Sequence, residues 1–344
     1  MIRGLSYLTA EPFVRGAASV ILYAFTCGLT AGANATEEPT PAQWLDRMNR
    51  AFVEHNYDGV ISYYSGADLA TMRVVHVVES GVQKERLVHL NGAPREIIRK
   101  GDEVACILQP GDEMLELEGN IPAGPFARAF TRRFDQVSSH YAVTVHGKDR
   151  IADRPSVRIA IAPLDEDRYG YRLWLDVATG MLLRSELVDM RGERLEIFQF
   201  ATIQLDQPIE PAALVPESNE DAVTSVLTLG NASTPTPAPG TVRWVAGWVP
   251  DGFIMAAWDV RHTPTTLKDV NTLMYSDGLA AFSVFIEDLP DVGAGSLISR
   301  NGATVAVTHV VAANRGSQHL VTVVGEVPTP TAQRVARSVH FVER

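Results

Sequence analysis

Nine histidines, two cysteines and a scatter of carboxylates are the residues of this 344-residue chain with chemistry to offer, and their spacing decides how much. His55, His76, His89, His140, His146, His262, His309, His319 and His340 form no tight cluster. His76 and His89 could meet across neighbouring strands, as could His309 and His319. A stable zinc site wants three or four ligands, so a chance cross-strand pair is the simpler reading. Glu37, Glu38 and Asp46 are not arranged as a carboxylate pair around a cleft. No His-Glu-x-x-His, Gly-x-Ser-x-Gly, Gly-x-Gly-x-x-Gly or phosphate-loop ending occurs. Triads assemble from distant positions, so missing motifs count for less than present ones would. On this evidence the chain is expected to be no enzyme, with no metal and no cofactor.

Aromatic and basic residues point instead to binding. Phe126, Phe130 and Phe134 recur at helical spacing, and Arg128, Arg132 and Arg133 lie beside them. Together with Trp44, Trp174, Phe198 and Phe200, the phenylalanines could line an apolar cavity, with the three arginines meeting an anionic group at its mouth. An ordinary core and a solvated helix face explain the same residues equally simply.

The elements that would position them follow from period and punctuation. Pro41 to Glu54 reads as a helix with Trp44, Leu45, Met48, Ala51 and Phe52 along one side. Short strands follow at 60–64, 72–78, 85–90, 95–99, 103–108 and 113–117, then at 141–146, 156–162, 169–176, 182–189 and 194–205. Ser80-Gly81, Asn91-Gly92, Lys100-Gly101, Thr179-Gly180 and Arg191-Gly192 separate them. Gaps this short require antiparallel neighbours, because a parallel crossover needs a dozen residues or more. A helix over 125–138 would lie across the concave side. Residues 206–240 are proline-rich and read as a linker, with a short helix or strand over 221–229. Residues 241–344 read as a smaller unit of six strands and one last helix, Pro330 to His340, capped by Thr329. The expected class is α+β: a large antiparallel sheet over residues 40–205 with helices covering its concave side, plus a smaller α+β C-terminal domain.

The formal charge of −11 gives no electrostatic reason to coat nucleic acid. Residues 1–35 do not resemble the rest. Arg3 and Arg15 precede the uncharged run 16–30, and Ala33 and Ala35 make an Ala-x-Ala exit, the three parts of a secretory signal. An uncleaved membrane anchor is the competing reading. Cleavage would remove Cys27 and leave Cys106 without a partner, so no intramolecular disulfide is expected. Cys106, inside Val104-Ala-Cys-Ile-Leu108, reads as a buried small apolar residue.

Several longer segments carry a family resemblance. They are Glu85 to Arg99, Gly147-Lys-Asp-Arg-Ile-Ala-Asp-Arg154, Tyr171-Arg-Leu-Trp-Leu-Asp-Val-Ala-Thr-Gly180, Leu183 to Leu187, Gly247-Trp-Val-Pro-Asp-Gly-Phe253 and Met274 to Val284. In this order they resemble the RseB/MucB family from about residue 40 to 343. The resemblance implies a periplasmic negative regulator of the sigma-E envelope stress response, with a LolA/LolB-like large domain, a large antiparallel half-barrel sheet with covering helices. It implies binding to the periplasmic part of a transmembrane anti-sigma factor and shielding of that partner from site-1 proteolysis. Release by lipopolysaccharide or another lipid, and a homodimer, are further family traits. Lipid or lipoprotein carriage is the alternative role. Trp248, Phe253, Tyr275 and Phe282 are the candidate partner contacts, because rigid aromatics contribute disproportionately to binding surfaces.

Overall fold

Helix α1 (Pro41–Glu54) opens the structure, a computed structural model that describes residues 38–101, 103–108, 139–217, 223–228, 244–262, 269–289, 296–312 and 317–342. The expected leader at 1–35, strand at 113–117 and helix at 125–138 lie outside the described residues, and with them Phe126, Phe130, Phe134, Arg128, Arg132 and Arg133. Local chemistry starts α1 where the sequence suggests. Thr40 accepts from the Gln43 backbone N–H (3.3 Å) while the Gln43 side chain accepts from that of Thr40 (2.7 Å), a reciprocal capping box, and Pro41 sits in the first turn. Trp44, Leu45, Met48 and Ala51 are its buried side.

The helix packs on a single 11-stranded antiparallel sheet. Its strands are β1 (Tyr57–Ser65), β2 (Asp68–Glu79), β3 (Val82–His89), β4 (Arg95–Lys100), β5 (Glu103–Leu108), β6 (Tyr141–Ile151), β7 (Arg154–Pro163), β8 (Gly170–Asp176), β9 (Leu182–Val188), β10 (Arg194–Leu205) and β11 (Val223–Thr228). Their order is β11-β5-β4-β3-β2-β1-β10-β9-β8-β7-β6. Three strands separate β6 from β10, yet the two touch, so the sheet curls. A bulge between Val60 and Ile61 bends the centre of this sheet. Beside it Gly59 is required, because a Cβ there would stand 2.7 Å from the Thr202 carbonyl and 2.8 Å from the Phe200 ring. Strand β11 lies within the stretch expected as a linker and pairs with β5. Upstream, Pro211–Leu214 forms a 3-10 turn against β3, held by the Arg86 guanidinium donating to the Ala213 carbonyl (3.3 Å). The first part of that stretch is thus part of the large sheet unit, and 229–240 lie outside the described residues.

The second sheet runs β13-β14-β15-β18-β17-β16. Its strands are β13 (Ile254–His262), β14 (Asp269–Ser276), β15 (Ala281–Asp288), β16 (Ile298–Asn301), β17 (Thr304–Ala312) and β18 (Gln318–Gly325). Helix α2 (Thr329–Ser338) lies on β17 and β18, and β12 (Trp244–Ala246) pairs with β19 (Val339–Phe341). Two expectations are corrected here. Pro328 is the N-cap of α2 and offers no side-chain bond, so Thr329 opens the helix rather than capping it. Val339 is extended and joins β19, which ends the helix before His340. Strand β16 went unread because all four of its residues are exposed, which leaves no alternation to detect. The described residues from Pro39 onward pack as one unit.

Candidate functional site

A concentration of buried polar chemistry lies where loop tips of the second sheet meet the inner face of the first. Arg168, in the β7–β8 loop, is fully buried. Its Nη1 donates to Asp277 Oδ2 (2.6 Å), its Nη2 to the Asp251 carbonyl (2.6 Å) and its Nε to Asp165 Oδ1 (3.0 Å). The guanidinium also lies over the rings of Phe253 (5.1 Å) and Tyr141 (5.5 Å). Tyr141 donates its hydroxyl to the same Asp277 Oδ2 (2.8 Å), and burial and that carboxylate hold its ionisation far above the usual range. Asp277 Oδ1 accepts from the backbone of Leu279 and Ala280 (2.8 Å each), fixing the β14–β15 turn. Tyr171 donates to the Leu279 carbonyl (3.4 Å).

A second contact lies at Glu196 on β10. It accepts from Tyr63 (2.7 Å), Ser65 (3.2 Å) and the Ala303 backbone N–H (3.2 Å). Burial, with the neighbouring Glu196 charge, pushes Glu326 up to about 7. Ala303 and Leu279 pack into the same apolar cluster as Trp44, Met48, Leu173, Phe198 and Phe200. The concave face of the large sheet is therefore filled, among the described residues, by α1 and by two loop tips of the smaller sheet.

The expected site residues separate accordingly. Trp44, Phe198 and Phe200 lie together in this core, and Arg47 covers the Trp44 ring at 4.5 Å. Trp174 sits on the opposite face. Its indole N–H donates to Asp149 (2.9 Å), Arg184 lies over its ring at 5.0 Å, and it floors a pocket of about 470 Å³. Arg158, Arg172 and Arg194 line that pocket with His146 and the buried Glu186, which pairs with Arg172, Arg184 and Arg194. Of the four candidate partner contacts, Phe253, Tyr275 and Phe282 are core residues with rings 5.2 to 5.3 Å apart. Trp248 is half-buried and carries the Arg334 guanidinium 3.8 Å above its ring.

Register sets the members of neither histidine pair directly opposite one another. His76 stands opposite Glu85 and His89 opposite Met72; His309 stands opposite Val321 and His319 opposite Val311. His76 stacks on Tyr57 at 4.7 Å, and burial lowers its pKa. Among the described residues no three His, Cys, Asp or Glu side chains gather as metal ligands. Sequence reasoning missed Arg168, Glu196 and Ala303, whose partners lie 100 or more residues away. The sequence suggests a turn at Asp277-Gly278 with partner contact as the alternative; the structure gives Asp277 that turn and a buried ion pair as well.

Comparison with known proteins places this arrangement. The family described as MucB/RseB N-terminal domain matches residues 40–218, and MucB/RseB C-terminal domain matches 238–340. The sigma factor AlgU regulatory protein MucB of Pseudomonas aeruginosa is 37% identical over 311 residues, covering 89% of this chain and 92% of that one. The sigma-E factor regulatory protein RseB of Escherichia coli K12 is 27% identical over 323 residues, with 92% and 95% covered. Among solved structures, the Pseudomonas aeruginosa MucA/MucB complex superposes with a TM-score of 0.72 at 33% identity, over 88% of this chain and 99% of that one. A crystal structure of MucB gives 0.62 at 30% identity, over 88% and 98%. The chain belongs to the MucB/RseB family and is, with that family, a periplasmic regulatory protein.

Proposed function

We propose that this protein binds the periplasmic part of a transmembrane anti-sigma factor and shields it from the first, site-1, proteolytic cut. The observation that carries the reading is the match to MucB held in complex with MucA, or with MucA(peri), at TM-scores of 0.72 over 88% and 89% of the chain. The likeness spans both sheets, and the buried Arg168–Asp277 pair fixes one sheet against the other, so a partner meets a single preorganised body. Shielding needs no catalytic group; it needs an occupant held more tightly than a protease can compete for. The test combines the full chain, the purified periplasmic region of the anti-sigma factor and the site-1 protease. Saturating amounts of the chain should lengthen the substrate's half-life at least tenfold. Binding with unchanged cleavage would remove shielding, and no binding would remove the proposal altogether.

Release by lipopolysaccharide or another lipid is the second reading, and the arginine-lined pocket over Trp174 favours it: its cationic wall suits phosphate groups in a chain of net charge −11. A ligand that prefers the partner-free state weakens the partner by linkage. Purified lipopolysaccharide should lower partner affinity, and Arg158→Ala with Arg194→Ala should blunt that effect. A carrier role would need an open concave face, which α1 and the loop tips occupy among the described residues.

A further inference from the structure

Sheet edges expose unpaired backbone donors and acceptors, and proteins normally guard them. The edge β6 is guarded by the charges of Lys148, Asp149 and Arg150 and by a bulge between Val145 and Lys148. The edge β16 has four residues and β11 has six. The remaining edge of the two larger sheets, β13, has nine residues; its first half, Ile254-Met-Ala-Ala-Trp258, carries no charge, and its bulge between Met255 and Ala257 sets Met255 and Trp258 on one face. Among the described residues it pairs on one side only, with β14. Ile254 is 59% and Met255 39% exposed. Register places Met255 opposite Tyr275 and Trp258 opposite Leu273, both core residues, so Met255 and Trp258 continue the core-facing side of the sheet out to its rim.

We infer that β13 is the docking edge for an extended segment of the polypeptide partner, which joins the smaller sheet as an added strand with apolar side chains at alternate positions. The inference rests on the partner binding proposed above. Backbone hydrogen bonds along β13 would hold the segment, and its alternate side chains would cover Met255 and Trp258. The chemistry also accounts for shielding. A protease takes its substrate as an extended strand whose backbone is free to pair, and a segment already paired with β13 has no such edge to offer. A second copy of this chain is the rival occupant, pairing β13 with β13.

The experiment uses the full chain and the purified periplasmic region of the anti-sigma factor. Amide hydrogen exchange is followed over residues 254–262 with and without partner. Affinity is measured for wild type, for the double variant Ile254→Lys/Met255→Lys, and for Leu297→Lys, a control at another exposed apolar residue. Partner peptides N-methylated at successive backbone positions give a third measurement. The expected results are partner-dependent slowing of exchange in β13, at least a tenfold affinity loss for the double variant with unchanged Tm, and wild-type affinity for the control. Loss of affinity should alternate along the methylated series. Wild-type binding with unaltered β13 exchange and variant affinities within twofold would overturn strand addition while leaving partner binding intact. Concentration-dependent protection of β13 without partner would give the edge to a second copy and overturn it too. If wild type does not bind at all, the functional proposal has failed first.

Discussion

Asp277 has four donors and no solvent: Arg168 and Tyr141 from the large sheet unit, Leu279 and Ala280 from its own turn. Removing its charge leaves the buried Arg168 guanidinium with the partly exposed Asp165 as its remaining counter-ion among the described residues, a loss toward the lower end of the about 3–5 kcal/mol of comparable broken buried pairs. Asp277→Asn should therefore lower unfolding free energy by about that amount in urea titrations, and a change below about 1 kcal/mol would show that the pair is not what joins the sheets. Replacing both partners, Arg168→Met with Asp277→Leu, should recover part of the loss, because no orphaned charge remains. Residue roles of this kind were the least legible part of the sequence. Asp277-Gly278 announced a turn, but nothing within ten residues of Arg168 announces a partner more than 100 positions downstream. The aromatic candidates show the converse. Phe253, Tyr275 and Phe282 look like binding anchors because anchors and core residues share one composition, and only burial separates them.

Elements were legible where local rules suffice. Helix α1 was foreseen over its full span because a proline start and an apolar stripe agree. The hairpins of the large sheet were foreseen because glycine pairs mark them and because neighbours in sequence are neighbours in the sheet, apart from the closing of β1 on β10 and of β11 on β5. Those two pairings have no local signature, and β11 falls where the sequence left a short helix or strand open within a proline-rich stretch. Two substitutions test elements directly. Thr40→Ala removes one half of the capping box and should cost about 1 kcal/mol. Gly59→Ala forces a methyl group toward the Phe200 ring and the Thr202 carbonyl and should cost about 1–3 kcal/mol. Thermal or denaturant unfolding reads both; a neutral Gly59→Ala would mean that the central bulge relaxes more easily than its geometry implies.

At the scale of the whole molecule, the junction between the sheets should respond to pH. Glu326 titrates at about 7 in the folded chain, above its value of about 4.3 when unfolded. A raised carboxyl favours the protonated folded form, so its contribution is fully present below the unfolded value and is lost as pH rises through 7. Between pH 6 and 8 wild-type Tm should fall, and Glu326→Gln should flatten that fall; parallel curves would remove Glu326 as the cause. The order of synthesis gives the same junction another consequence. Chain growth delivers α1 and strands β1 to β11 first, while Leu279 and Ala303 arrive only with the last 70 or so residues. Until then the hollow of the curled sheet lacks part of its lining, and its greasy interior is open to chaperones and to aggregation. Completing the small sheet late in secretion is thus what closes the large one.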